Sequence, residues 1–186
     1  MMFALLYGLG LRVGEVSRLE RKDLDFDRNL LIIRQTKFSK DRLVPFGPKI
    51  AQYLQEYLKH HEEYYGEWEL DSPVFTFRGG RSVHPGTISQ TFHYLVSQLE
   101  LEIPPGVSPP RLHDLRHSFA VGALLRWYRT GIQPAQRLFH LSTFLGHVDP
   151  SSTAIYLTIT EDILKEANQR FEQFITLSIK ENQSHD

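Results

Sequence analysis

The sequence predicts a mainly α-helical protein with one small antiparallel β-sheet, an α+β class. Three observations predict it. Apolar residues recur at helical spacing in separate stretches, as at Ile50, Tyr53, Leu54, Tyr57 and Leu58. Two neighbouring runs, "NLLIIRQT" and "DRLVPF", have the β-branched and apolar content of strands and are joined by the polar "KFSK". Prolines stand where helices would begin, at Pro48, Pro85 and Pro134, with φ already set for a first turn.

The opening "MMFALLYGLGLRVGEVSRLERKDL" reads as two helical pieces broken near Gly8 and Gly10, the first starting at Met1 without an N-cap residue. The hairpin follows, then a helix in "PKIAQYLQEYLKHHEEYY", whose His60 and His61 are expected to face water. "VFTF" is expected to form a short strand, and a helix to run from about Pro85 to Leu99. The loop "EIPPGVSPP" cannot be helical and gives way to a helix opening in "RLHDLRHSFA". A further helix is expected from about Pro134 to Leu145. Asp149 then suits an N-cap, with Pro150 at the first helical position. "TEDILKEANQRFEQFITLSI" closes the chain as an amphipathic helix capped by Thr160, with Glu161 and Asp162 in its first turn.

A chain of 186 residues fits one domain that buries roughly 70% of its unfolded surface. Its 41% apolar and 23% charged residues are the proportions of a globular protein in water, and the absence of cysteine excludes disulfides and thiolate chemistry. The apolar start ends at Arg12 and has no basic flank, too short for a membrane span and wrong for a signal peptide. A cytoplasmic location and no membrane partner are expected. The net charge of −1 conceals a segregation: residues 1–49 carry +4, 50–72 carry −5, 73–148 carry +4 and 149–186 carry −4. Such blocks let one face meet a polyanion, although solvated helix faces give the same pattern.

The "RLHDLRHSFA" stretch raises the need for an anion directly. On a helix His113, Arg116 and His117 share one face, beside the apolar Leu112, Leu115, Phe119 and Ala120. Groups of this kind repel one another unless something negative sits between them. His113 and His117 also have the i, i+4 spacing of a metal pair. No Glu occupies the zinc-protease position and no cysteine completes a site, so no metal is expected. Four further stretches hold what phosphoryl chemistry needs. They are "GLGLRVGEVSRL" with Arg12 and Glu15, "TKFSKDRLVPF" with Lys37 at the hairpin turn, "FLGHVDP" with His147, and "STAIYLT" with Tyr156 nine residues later.

These five stretches, in this order, resemble the catalytic domain of the tyrosine recombinase (phage integrase) family over residues 8 to about 175. The marks are "GLR..E", a hairpin lysine before "R.VP", "H.LRH", "LGH", and the tyrosine nine residues on. The resemblance implies that family's fold and its roles. Tyr156 matches the nucleophile, and Arg12 and Arg116 match the two phosphate-clamping arginines. Lys37 matches the lysine that protonates the leaving 5′-oxygen. His113 matches the acid/base histidine, and His147 the histidine that donates a hydrogen bond to the phosphate. Lys40, Arg42 and Arg111 are expected as further DNA contacts. The resemblance also implies double-stranded DNA as partner, self-association on DNA as a tetramer, a nucleoid-associated location and no cofactor. A type IB topoisomerase-like enzyme and a non-catalytic DNA-binding regulator of the same fold are the alternative readings.

The chemistry accounts for the residue types. Attack on a phosphodiester places further negative charge on its equatorial oxygens, which paired guanidinium donors stabilise without a metal. A phenol with a pKa of about 10 needs a proton acceptor, and an imidazole titrating near about 6.5 suits that task. The 5′-oxygen leaves well only when protonated, which a lysine of lowered pKa can do. Taken singly, each residue has a plainer reading. Tyr156 reads as a core aromatic, His147 as a helix C-cap, and Arg12, Lys37 and Lys40 as surface residues.

Members of the family carry an N-terminal helical DNA-clamping domain, whereas this chain starts just before the first arginine. Residues 1–186 are therefore expected to be a single catalytic domain with that clamp absent and DNA binding weak and salt-dependent. The segment "RWYRTGIQPAQRL" lengthens the interval between Arg116 and His147. Residues 161–186 are expected to form a C-terminal helix. Its Leu164, Ala167, Phe171, Phe174 and Ile175 would dock on a neighbouring protomer or on their own domain.

Overall fold

The computed structural model describes residues 1–34, 41–66, 69–77, 79–147, 149, 151–160 and 164–165. The chain opens with α1 (Met2–Gly8) and α2 (Val13–Ser17), separated where Gly10 adopts a φ of +60°. Glycine is required there twice over. The left-handed conformation disfavours a side chain, and a Cβ would lie 2.6 Å from the Phe119 ring and 2.9 Å from Leu145. A 3-10 turn (Arg21–Asp23) leads into an antiparallel meander of β1 (Leu24–Asp25), β2 (Leu30–Ile33) and β3 (Arg42–Pro45). β2 and β3 are the expected hairpin; β1, two residues long, carries no pattern of its own. Leu31 pairs with Val44 and Ile33 with Arg42, so these four side chains share the sheet's inner face. Leu43 points the other way and is 59% exposed.

α3 (Pro48–Tyr65), α4 (Pro85–Gln98) and α6 (Pro134–Leu145) start and stop within a residue of the sequence expectation. α5 (Asp114–Arg129) lies between the last two, and residues 151–160 form α7. The Asp149 carboxylate accepts the N–H of Ser151 at 2.9 Å, as expected of an N-cap; Pro150 lies outside the described residues. Leu54 and Leu58 of α3 and Ile88 of α4 join Leu5, Leu31 and Val44 in the larger core. A smaller core of Ala120, Ala123, Leu124, Leu141, Leu145 and Tyr156 sits among α5, α6 and α7. α1 packs along α5 and thereby brings the two cores together. Among the described residues, no helix is long and apolar enough to cross a membrane.

Three expectations are corrected. "VFTF" is not a strand: Val74 donates to the Leu19 carbonyl and Phe75 accepts from Val83, with only isolated bridges at Glu20–Pro73 and Thr76–Ser82. Loops flank the run on both sides, so its residues gain burial without a ladder. His61 does not face water. It is 7% exposed, its ring lies 4.5 Å from that of Tyr65, and its Nε2 is 3.1 Å from Thr76 Oγ1, while His60 is exposed. Thr160 is not a cap either. It lies within α7, buried, and its hydroxyl donates to the Tyr156 carbonyl at 2.7 Å. Of the residues expected to dock from the terminal helix, Leu164 alone is described; Ala167, Phe171, Phe174 and Ile175 lie outside the described residues.

Candidate active site

The C-terminal end of α6 organises the site. Gly146 adopts a φ of +67°, and the N–H groups of Gly146 and His147 fold back onto the carbonyls of Thr143 and Ser142, both at 3.0 Å. This is a Schellman turn, and it leaves the next carbonyls without helical partners at the negative end of the helix. Three arginines take them. Arg42 donates to Phe144 O at 3.0 Å and Arg116 to Leu145 O at 2.7 Å. Arg12 donates to Leu145 O at 3.3 Å and to Gly146 O at 2.8 Å. A Cβ at Gly146 would fall 2.8 Å from the Arg42 guanidinium, so the turn needs glycine for space as well as for φ.

One buried carboxylate binds two of these cations. Glu15, at the third position of α2, accepts the Arg12 backbone N–H at 2.8 Å and the Arg12 side chain at 3.0 Å. Both terminal nitrogens of Arg42 donate to it as well, at 2.7 and 2.9 Å. Burial alone pushes the Glu15 carboxyl up. The hydrogen bonds and charges of Arg42 and then Arg12 outweigh that and hold it below the usual range. Arg116 is 2% exposed and also donates to Gly10 O, the carbonyl that the Gly10 turn presents. Burial, then the charge of Arg12, pushes its pKa down to about 10, so it stays cationic at neutral pH. Three guanidiniums against one carboxylate leave net positive charge in a partly dry place. Donors remain in the Arg12 and Arg116 forks for an oxyanion.

Around this cluster stand three histidines and a tyrosine. His113 occupies the N-cap of α5 and His117 lies one turn further on, their rings edge to face at 4.6 Å. His147 Nδ1 is 2.6 Å from the hydroxyl of the buried Thr153, which fixes the imidazole plane. Burial, then the charges of Arg116 and Arg12, push His147 down to about 4. Burial also leads the downward shifts of His113 and His117, so all three are neutral at pH 7. Tyr156 is 2% exposed in the smaller core, yet its hydroxyl reaches His117 Nδ1 at 2.7 Å. Burial raises its pKa, and the charge of Arg116 acts against that rise. A cavity of about 310 Å³ opens alongside, lined by Val13, Ser89, His93, Arg111, His113 and Arg116 among others.

Residues 1–162 match the Phage integrase family. The chain belongs to the phage integrase family. It is 40% identical over 172 residues to y4rB of Sinorhizobium fredii, which bears an integrase/recombinase name; the match covers 92% of this chain and 55% of that protein. It is 31% identical over 170 residues to the tyrosine recombinase XerA of Thermococcus onnurineus, covering 91% and 53% of the two chains. The chain thus spans about half the length of the curated relatives it matches. Among solved structures, that of a XerA recombinase aligns with a TM-score of 0.68 at 23% identity, over 90% of this chain and 55% of that one. A XerH site-specific recombinase bound to palindromic difH substrate aligns equally well, at 21% identity over 92% and 45%. These likenesses show the fold.

In this integrase-family chain the structure brings together Arg12, His113, Arg116, His147 and Tyr156, from four separate places in the sequence. Lys37 and Lys40 lie outside the described residues. Arg42 is corrected: expected at a DNA surface, its side chain is 10% exposed and engaged by Glu15 and Phe144 O, because its register opposite Ile33 turns it inward. Arg111 is exposed, paired with Asp114 at 3.1 Å, and reaches the cavity. Glu15 and His117 stand in the matched stretches without a role that the resemblance implies. The available signals were the capping-box spacing from Arg12 and the helical face shared with His113.

The neutral histidines give stability a pH dependence. The unfolded chain takes up their protons near pH 6.5, the folded chain only lower, for His147 near pH 4. Between those values the unfolded state binds more protons, so stability falls as pH falls. His61, His113 and His117 act with the same sign. The Tm is expected to hold near neutrality and to decline from about pH 6.5 towards pH 4, less steeply in His147→Gln. Circular dichroism melts across that range check this; a flat Tm in the wild-type chain contradicts it.

Proposed function

We propose that the chain is the catalytic part of a site-specific DNA recombinase or integrase. Tyr156 Oη attacks a scissile phosphate in double-stranded DNA, a 3′-phosphotyrosyl bond forms, and the 5′-oxygen leaves as a hydroxyl. A 5′-hydroxyl from a partner duplex then reverses the step, so the bond energy is retained and no nucleotide cofactor is required. One observation carries the reading: two guanidiniums and two neutral histidines converge on the α6 terminus, with excess positive charge, beside the Tyr156 hydroxyl. Arg12 and Arg116 stabilise the charge that grows on the non-bridging oxygens. His147 donates to the phosphate, His113 serves in acid/base work, and Lys37 protonates the 5′-oxygen. Residues 1–186 act as one catalytic domain on DNA, and exchange between two duplexes calls for four protomers. The tyrosine recombinase names of the relatives support this reading.

A nicked duplex pool with a randomised core is the probe, since a nick next to the cleavage site lets the 5′ fragment diffuse away and traps the adduct. The wild-type chain in EDTA is expected to give a protein–DNA adduct that survives SDS, with the DNA mapping to Tyr156 by peptide mass. No adduct, an adduct on another residue, or a requirement for a divalent metal would overturn the proposal. Relaxation of supercoiled plasmid with no recombined product would favour the topoisomerase reading instead.

A further inference from the structure

The family resemblance gives the acid/base role to His113, yet the group that touches the phenol is its neighbour one turn on. Tyr156 makes one side-chain hydrogen bond among the described residues, to His117 Nδ1 at 2.7 Å. Their rings lie 5.5 Å apart at 55°, so the phenol is held in place from the side as well as at its tip. We infer that His117 is the proton acceptor for Tyr156 and, in the DNA-free chain, the group that keeps the nucleophile parked. The inference rests on the proposed function in all but one assignment: it moves the acceptance of the phenol proton from His113 to His117 and leaves His113 to face the phosphate.

The geometry implies a substrate-gated activation. Burial holds the phenol above its ordinary pKa and His117 below its own, so the proton stays on oxygen while the site lacks an anion. The groups facing His117 are His113 and Asp114 on its own helix, Arg111 just before it, Arg116 behind it and Tyr156 from α7. Asp114 alone among them favours the imidazolium, while Arg111 and Arg116 oppose it. A phosphate arriving between Arg12 and Arg116 adds negative charge and neutralises that opposition. His117 then becomes a stronger base at the moment when an electrophile is present. In the step, the Oη–H bond breaks with its proton passing to His117 Nδ1, and the Oη–P bond forms. The P–O5′ bond breaks, and the 5′-oxygen takes a proton from Lys37. Rejoining returns both protons.

The experiment has two arms on the full chain. In the DNA-free protein, ¹⁵N-histidine NMR at neutral pH is expected to show His117 with a bare Nδ1 and a protonated Nε2, and Tyr156→Phe to move that signal. A protonated Nδ1 would overturn the inference. The second arm uses a duplex recovered from the randomised pool, prepared with an ordinary and with a 5′-bridging phosphorothiolate linkage, whose sulfur leaves without a proton. His117→Ala and His117→Asn are expected to slow cleavage of both substrates on the order of 10²-fold or more. Lys37→Ala should be slow on the ordinary linkage alone, and free imidazole should rescue His117→Ala. Asparagine can hold the phenol from the Nδ1 position but cannot take its proton, so wild-type cleavage by His117→Asn would reduce the residue to a positioning role and overturn the inference. No adduct from the wild-type chain would instead bring down the proposed function, and this inference with it.

Discussion

Tyr156→Phe is expected to abolish the covalent protein–DNA adduct altogether while leaving the fold and the affinity for DNA nearly intact. The substitution removes one oxygen. The ring that remains still fills its place against Leu124, Leu141 and Leu145 in the smaller core. What is lost for stability is the hydrogen bond to His117, a net contribution of about 1 kcal/mol. For a chain of this length that corresponds to roughly 2–4 °C in Tm. The arginine cluster does not depend on the phenol, because Arg12 and Arg116 are held by Glu15, Gly10 and the α6 carbonyls. Binding to duplex DNA, measured by gel shift, should therefore change little. Loss of chemistry with binding and Tm preserved identifies Tyr156 as the nucleophile. An adduct that persists in the phenylalanine variant would mean that another residue attacks the phosphate.

The parts of this site that could be read from sequence are those set by local geometry. Gly10 and Gly146 mark turns with positive φ. The turn at Gly146 then delivers His147 to the end of α6. The His113–Arg116–His117 face follows from the helical period alone. The parts that were hidden depend on what lies across space. Arg42 looks like a surface cation in "KDRLVPF", and only its pairing with Ile33 decides that it points inward. Glu15 stands in the sequence only as part of "GLR..E", and its work shows when Arg42 approaches from a strand 27 residues away. "VFTF" has strand composition, but composition cannot say whether a partner strand exists. His61 sits in an acidic stretch that suggests solvation, yet it falls on the same stripe of α3 as Leu54 and Leu58, and that stripe is the buried one. Tyr156 is the instructive case. Its surroundings suit a core aromatic, and the structure makes it one while turning its single polar atom toward the site.

Removing Glu15 is expected to be the most damaging single change to stability. Its carboxylate is 5% exposed and takes both terminal nitrogens of Arg42, whose side chain is itself 10% exposed. Glu15→Ala leaves the Arg42 charge buried beside Arg12 and Arg116 with nothing to offset it. Breaking one partner of such a pair typically costs 3–5 kcal/mol, roughly 6–20 °C in Tm here. Arg12 adds less, because its side chain is 38% exposed and water screens it. The sign with pH agrees. The Glu15 carboxyl is held below its ordinary value, so its contribution is present at neutral pH and is lost as pH falls through the folded value. Replacing both partners separates stability from chemistry. Glu15→Leu with Arg42→Met puts apolar volume where the ion pair stood, and such replacements are often neutral. The double variant should therefore melt well above Glu15→Ala. Its adduct formation should nevertheless stay low, since Arg12 loses the carboxylate that aims its fork. A double variant with wild-type cleavage would show that Arg12 needs only the α6 carbonyls to hold it. A Glu15→Ala chain as stable as wild type would show that water reaches the Arg42 guanidinium.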